Sequence, residues 1–217
     1  MYYANSYIYV RTQPRDLFNT VSFTRKFMLD IWHTIRYGIV MKTLSKTDWL
    51  KEGLAVLGDE GSTGITINNL CNRLEISKGS FYHHFKNVEE YIKELMIFWV
   101  EGNTLELIRL TNEQETETKR AKLHEITVTL DHRPELSIRA WSFTNPIVKE
   151  YVQKVDRIRF DYLIDIGLAE GLDAGRARQL ALLCYSSLIG VQLLYPDALV
   201  EVFLELRPLY EKITESD

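Results

Sequence analysis

TINNLCNRLEISKGSFYHHF, residues 66–85, decides how this chain folds. It reads as two short helices joined by a tight turn. Thr66 caps the first, its hydroxyl placed to accept an orphan backbone N–H two or three residues on. Leu70 and Leu74 follow at the i, i+4 spacing of one helical face. Glu75 and Ile76 make the turn, with Ile76 the apolar plug between the helices. Ser77 occupies the second N-cap, and Phe81 and Phe85, again four apart, pin the second helix onto the first. Lys78, Gly79, Ser80, Tyr82 and His83 are left around its N-terminal, outward side. A helix presented in this way is the part of a helix-turn-helix that enters the DNA major groove.

On the N-terminal side, a helix is expected from near Thr47, with Asp48 in its first turn and Leu50, Leu54 and Leu57 on its inner face. Glycines 58, 61 and 64 stop it and shape the loop to Thr66. On the C-terminal side, Asn87 caps a longer helix, with Glu90 as its capping-box partner. Val88, Tyr91, Ile92, Leu95, Trp99 and Gly102 keep the 3.6-residue period, so this helix joins a DNA-binding head to a body and is the expected transmission element. Residues 111–120 are polar, a solvated linker or helix end.

Beyond them every signal is helical. One helix is expected over 119–130, ended by Asp131-His132-Arg133-Pro134, and another over 135–143. Asn145 then caps a helix with Pro146 at its first position, its inner face Ile147, Val148, Tyr151, Val155, Ile158, Tyr162 and Ile166, closed by Gly171. Asp173 starts the next, and Tyr195-Pro196-Asp197 breaks it. A last helix is striped by Leu199, Val202, Phe203, Leu206 and Tyr210, and Pro208 is expected to kink or end it. No segment alternates as a strand does, so the fold class is all-α.

The 217 residues suffice for one or two packed domains, and their aromatic content and ordinary charge density exclude a disordered chain. No apolar run reads as a membrane span, since even 180–195 is interrupted by Ser186, Ser187, Gly190 and Gln192, and no membrane partner is expected. The N-terminus lacks the apolar core and cleavage site of a signal peptide. Cys71 and Cys184 read as buried thiols of a reducing compartment, which makes the cytoplasm the default. The net charge of −4 does not advertise nucleic-acid binding. Positive charge is local: residues 73–86 hold Arg73, Lys78 and Lys86 against Glu75 alone. Few phosphate contacts per subunit favour a dimer on two half-sites.

The run Thr66-Ile67-x-x-Leu70, Leu74-x-Ile76, Ser77-Lys78-Gly79-Ser80-Phe81-Tyr82-x-His84-Phe85 resembles the TetR family of transcriptional regulators, and SKGSFYHHF is its most specific part. The resemblance implies a helix-turn-helix domain over 41–102 and a helical ligand-binding and dimerisation domain over 103–217. It implies a homodimer through the last two helices, a double-stranded DNA operator, a small-molecule effector and, as the sign of regulation, repression. It also assigns roles. Asn68 and Lys78 stand at base-reading positions, for which asparagine to adenine and lysine to guanine are competent chemistries. Tyr82 and His84 stand at phosphate-contacting positions, His83 faces a base edge or methyl, and Lys86 adds charge. Gly79 and Ser80 let the helix end approach closely, where free N–H groups suit a phosphate. The chain departs from the family at Val88, where a phosphate-contacting lysine is common, at Cys71 for alanine and at Glu75 for a turn glycine.

The family's body encloses a pocket, for which Trp141, Phe143, Tyr151 and Tyr162 are the candidate aromatics and His132 and Arg139 the candidate polar anchors. Other constellations are bland. His83 and His84 are adjacent and point about 100° apart, so they do not chelate as an i, i+4 pair would. Asp156, Asp161 and Asp165 interleave with Arg157 and Arg159, and Arg157 with Asp161 reads as an i, i+4 surface pair rather than part of a carboxylate site. There is no phosphate-binding glycine loop, zinc spacing or nucleophile elbow, so no cofactor, metal site or catalytic residue is expected. The alternative is an all-α enzyme or protein-interaction module in which the helix-turn-helix is only scaffold. Residues 1–40 fit nothing that follows. They read as an upstream extension of the reading frame or, alternatively, as a basic arm (Arg11, Arg15, Arg25, Lys26, Arg36) for the minor groove.

Overall fold

Ser45 starts the first helix by a reciprocal cap: its hydroxyl accepts the Asp48 N–H at 3.3 Å, and the Asp48 carboxylate accepts the Ser45 N–H at 2.8 Å. The computed structural model describes residues 44–215, and the extension over 1–40, with its basic arm, lies outside them. Helix α1, Lys46–Glu60, buries Trp49, Leu50, Gly53, Val56 and Leu57. Trp49 is the hub of this first layer, edge-on to Phe81 at 5.5 Å and to Phe85 at 6.5 Å. After a short 3-10 turn at Ser62–Gly64 comes α2, Ile67–Leu74, capped by the Thr66 hydroxyl on the Asn69 N–H. Glu75 then takes a left-handed conformation, φ 57°, and the chain enters α3, Lys78–His84. A side chain with Cβ costs about 1–2 kcal/mol there, which is why glycine suits this turn better.

Helix α4, Val88–Val100, is capped by Asn87, whose side chain accepts the Glu90 N–H. Glu90 reaches the Lys86 N–H at 2.7 Å instead of the cap residue's own N–H, so the expected capping box is replaced by a link to the preceding turn. The helix also runs on past Val100. It passes through a π-turn, Glu101–Leu105, in which the Glu106 N–H reaches back to the Glu101 carbonyl, and continues as α5, Glu106–Asn112. One inserted residue widens the helix and frees backbone groups for other partners.

The body follows as α6 (Thr116–Thr129), α7 (Arg133–Ser142), α8 (Pro146–Ala169), α9 (Ala174–Leu194) and α10 (Leu199–Glu215). All the described elements are helical, as expected. Helix α6 ends at Thr129, just before Asp131-His132-Arg133-Pro134 as expected, and Pro134 sits in the first turn of α7, where its missing N–H costs nothing. Pro208 lies inside α10, and the helix runs on to Glu215. Helices α8 and α9 pack closely where Gly167 meets Ala177. Helix α9 is long and apolar enough to cross a membrane by length and composition, contrary to expectation, because its leucines outweigh the scattered serines and glycine. It turns Ala177, Leu180, Ala181, Val191 and Gln192 into the fold.

Helix α7 is the shared wall. Ile138 is fully buried in the same apolar core as Trp49, Leu57, Phe81, Leu95 and Val155, and Trp141 packs against it. The core therefore runs unbroken from α1 into α8. At its centre Gly53 has no room for a side chain: a Cβ would lie 2.1 Å from the Tyr91 hydroxyl, which is tied to the Trp49 carbonyl at 2.8 Å. Gly53→Ala should lower stability by about 1–3 kcal/mol in urea unfolding. An unchanged midpoint would show that Tyr91 gives way freely.

Candidate nucleic-acid interface and body cavity

The outward side of α2 and α3 is built from residues the core does not use. Leu70, Cys71, Leu74 and Phe81 point inward, which leaves Thr66, Asn68, Ser77, Lys78, Gly79, Tyr82, His83 and Lys86 exposed and Ser80 half-buried. Tyr82 is 57 % exposed although edge-on to buried Phe81. Ser77 stands at the N-cap of α3 without a side-chain hydrogen bond of its own there. His84 is half-buried, with Nε2 2.9 Å from the Leu44 carbonyl, which ties α3 to the start of α1. The rings of His83 and His84 lie edge to face at 5.0 Å.

Arg73 is not part of this positive edge. Its guanidinium turns back onto Glu52, Asp59 and Glu60 of α1, and hydrogen bonds to all three raise its already high pKa. Of the three bases expected at the DNA-facing edge, Lys78 and Lys86 remain. Asn69 is likewise spent inside the head, donating to Glu60 and to the Gly64 carbonyl.

The body holds a half-open cavity of about 270 Å³, to which α5 to α10 contribute Leu107, His124, Glu135, Tyr162, Leu188 and Phe203, one from each helix. Glu135 and Arg159 form a buried ion pair in its wall, at 2.7 and 3.1 Å. Arg159 also donates to the Thr104 hydroxyl and to the Asn103 carbonyl, both at 3.0 Å and both within the π-turn. Arg139 donates to Glu135, to Asp156 and to the Tyr185 hydroxyl. Burial by itself would raise the Glu135 carboxyl, but Arg159 and Arg139 outweigh it and hold it down from an ordinary 4.5 to about 2. A second pair, Arg120 with Glu170, is joined at 2.6 to 3.1 Å through both carboxylate oxygens.

Residues 50–95 match the model of the bacterial regulatory proteins of the tetR family. The chain carries a TetR-family DNA-binding domain. The fold is similar to a solved structure described as a transcriptional regulator of the TetR/AcrR family, with 20 % identity, a TM-score of 0.60, and coverage of 76 % of this chain and 97 % of that one. Among curated proteins none matches.

The TetR head brings Thr66, Asn68, Ser77, Lys78, Gly79, Tyr82, His83 and Lys86 onto one exposed helix pair and its flanks, with His84 behind them. The body residues divide differently. His132 and Tyr162 line the cavity. Arg139 lies outside its lining, held by Glu135, Asp156 and Tyr185; Trp141 and Tyr151 pack against the apolar core; and Phe143 is 89 % exposed. Their aromatic character reflects core packing and a helix end. Arg159 belongs to the buried network, and Asp156, half-exposed, joins it at its edge through Arg139 and Tyr185. Two signals could have found it: the i, i+4 spacing of Glu135 and Arg139, and Arg159 falling between Val155 and Tyr162 on the inner face of α8.

Removing the Glu135 charge leaves two mostly buried guanidiniums without their shared partner, so Glu135→Gln should cost about 3–5 kcal/mol in chemical unfolding. Because the folded carboxyl titrates near 2 and the unfolded one near 4.5, its contribution is complete above about pH 5 and lost as pH falls toward 2. Unfolding at a series of pH values should show the wild type losing stability across that window faster than Glu135→Gln. Parallel curves would remove Glu135 as the cause.

Proposed function

We propose that this chain is a homodimeric, effector-responsive transcriptional regulator, with repression as the sign of regulation, that reads a double-stranded operator through α2 and α3. The observation that carries the reading is the exposed set Asn68, Lys78, Tyr82, His83 and Lys86 on a TetR-family head whose Leu70, Cys71, Leu74 and Phe81 are buried. Asn68 and Lys78 read base edges. Tyr82 and Lys86 contact phosphates with His84 beside them, His83 meets a base edge or methyl, and Thr66, Ser77, Gly79 and Ser80 keep the approach close.

The occupant of the outer faces of α9 and α10 is a second copy of the chain. Leu193 and Leu194 are each 70 % exposed, and Leu182, Leu183, Leu204 and Leu209 are exposed beside them. An apolar surface of that extent marks an interaction site. Two lysines on the DNA-facing side of each head are few for tight binding, so pairing two heads is what gives useful affinity. Operator binding then needs the recognition helices about 34–36 Å apart. An effector in the cavity favours dimers in which that spacing is wrong and shifts the population toward them. Transmission runs from the cavity wall through Arg159 to the π-turn, and through α7 to α1.

Gel shifts with the DNA upstream of the gene should give a salt-sensitive, sequence-specific complex. Lys78→Ala should relax base preference, whereas Lys86→Ala should weaken all sequences alike. Equal loss of preference from both would refute the division of labour, and no specific complex from folded protein would defeat the regulator reading in favour of a scaffold role. Leu193→Glu with Leu194→Glu should yield monomers in sedimentation and weaken operator binding at least tenfold. A dimer that persists would place the interface elsewhere.

A further inference from the structure

The wall of the body cavity carries a choice of guest, an inference that rests on the effector reading above and deepens it. Four of the lining side chains are carboxylates or guanidiniums, and they stand as two pairs, Glu135 with Arg159 and Glu170 with Arg120. The first is the more deeply buried and is spent on the fold, because Arg159 also holds the Thr104 hydroxyl and the Asn103 carbonyl. The second is the more accessible: the side chains of Arg120 and Glu170 keep 19 and 18 % of their surface exposed.

The end of α8 does not call for this second carboxylate. Glu170 is the C-cap of the helix, where a negative charge opposes the helix dipole. The helix is closed without its side chain, by Gly171 at φ 92°, whose N–H reaches the Leu168 carbonyl while that of Leu172 reaches Gly167. A part-exposed ion pair also clips two helices together only weakly. What Glu170 does is face Arg120, 50 residues away on α6, with both oxygens: Nε lies 3.0 and 3.1 Å from them, and Nη2 2.6 Å from Oε2. The carboxylate thus stands where an acidic guest would put its own, and the guanidinium where a basic guest would put its own. Cys184 beside them adds no charge, since burial pushes its thiol up by more than Arg120 lowers it. Leu107, Leu163, Leu188 and Phe203 give the rest of the wall its apolar character.

We propose that the Arg120–Glu170 pair is a charge filter for the effector: it fills its own ionic subsite, so that the cavity takes uncharged, largely apolar molecules and turns away carboxylates and ammonium ions of the same shape. An ion entering such a wall must break the pair or lie in a low-dielectric site without a counter-charge, and either is costly. A neutral body meets neither obstacle. Its size follows from the volume: a cavity of roughly 150 Å³ admits benzene, so about 270 Å³ admits two fused rings. The filter also implies its own inversion, because removing either member leaves the other as a fixed charge in need of a counter-ion.

The test is calorimetric titration of the full-length protein, at about pH 7.5, with methyl 2-naphthyl ketone, 2-naphthoate and 2-naphthylmethylamine, which share one body and are neutral, anionic and cationic there. In the wild type the ketone should bind at least about tenfold more tightly than either ion. Glu170→Gln should strengthen naphthoate at least about tenfold and leave the amine no better, and Arg120→Met should do the reverse. Combining the two substitutions should restore the ketone preference, a result that damage to a structural clip does not give. Glu170→Ala and Arg120→Gln serve if a variant does not fold. The proposal is overturned by an ion that binds the wild type as tightly as the ketone, by single variants that shift all three probes alike, by a double variant that still favours an ion, or by no binding of any probe. DNA binding is assayed separately on the same protein. A chain that ranks the probes as expected yet binds no DNA sinks only the regulator reading, and one that binds its operator but admits the ions freely sinks only this proposal.

Discussion

The Glu135–Arg159 ion pair is the constraint on which the rest of this molecule depends. Two mostly buried charges tolerate the low-dielectric interior only because their geometry saturates them: Arg159 holds Glu135 with one side of its fork and the π-turn with the other. The π-turn explains how a helix backbone can take part. Its extra residue leaves the Asn103 carbonyl available, and a guanidinium takes it. The join between head and body therefore includes a charged contact of fixed direction at the wall of the cavity, beside the apolar core that runs from α1 into α8. Helix α7 supplies a second join, because Glu135 faces the cavity while Ile138 belongs to the core that packs the head.

The head itself is economical in charge. With Arg73 bound to three carboxylates of α1, the outward face of each head keeps Lys78 and Lys86 and relies on Asn68, Tyr82 and the histidines for the remainder. A protein with a pI of about 5.8 does not hold DNA by bulk attraction. On the proposed reading, specific contacts doubled by pairing two heads are the physical route to an operator that a weak single head would lose to ordinary sequence. The exposed leucines of α9 and α10 are the matching feature at the other end of the chain.

Much of this was legible in the sequence, for reasons that separate local from distant physics. Caps and periodicity are local, so Thr66, Asn87, Asn145 and Asp173 announce their helices, and the four-residue spacing of Phe81 and Phe85 announces the packing of α3. The exposed set on α3 follows by subtraction once the core positions are known. What depended on distant partners was not legible. Arg73 counts as positive charge in the sequence, and only the fold brings Glu52, Asp59 and Glu60 to it. Trp141, Tyr151 and Phe143 are chemically suited to a pocket but stand on the wrong faces of α7 and α8 or past the end of α7. The π-turn has no composition of its own, and the Glu135–Arg159 pair spans 24 residues. Gln192 reads as a polar interruption of an apolar helix until His132, 60 residues away, gives it a partner.

The central claim is that two TetR-type heads, held at one spacing by the body, read DNA together. Selection of bound sequences from a pool of random duplex DNA, using the purified full-length protein, tests it most directly. The account predicts enrichment of an inverted repeat whose half-site centres lie about one helical turn apart. Enrichment of a single unrepeated site, or of no sequence at all by folded protein, would contradict it.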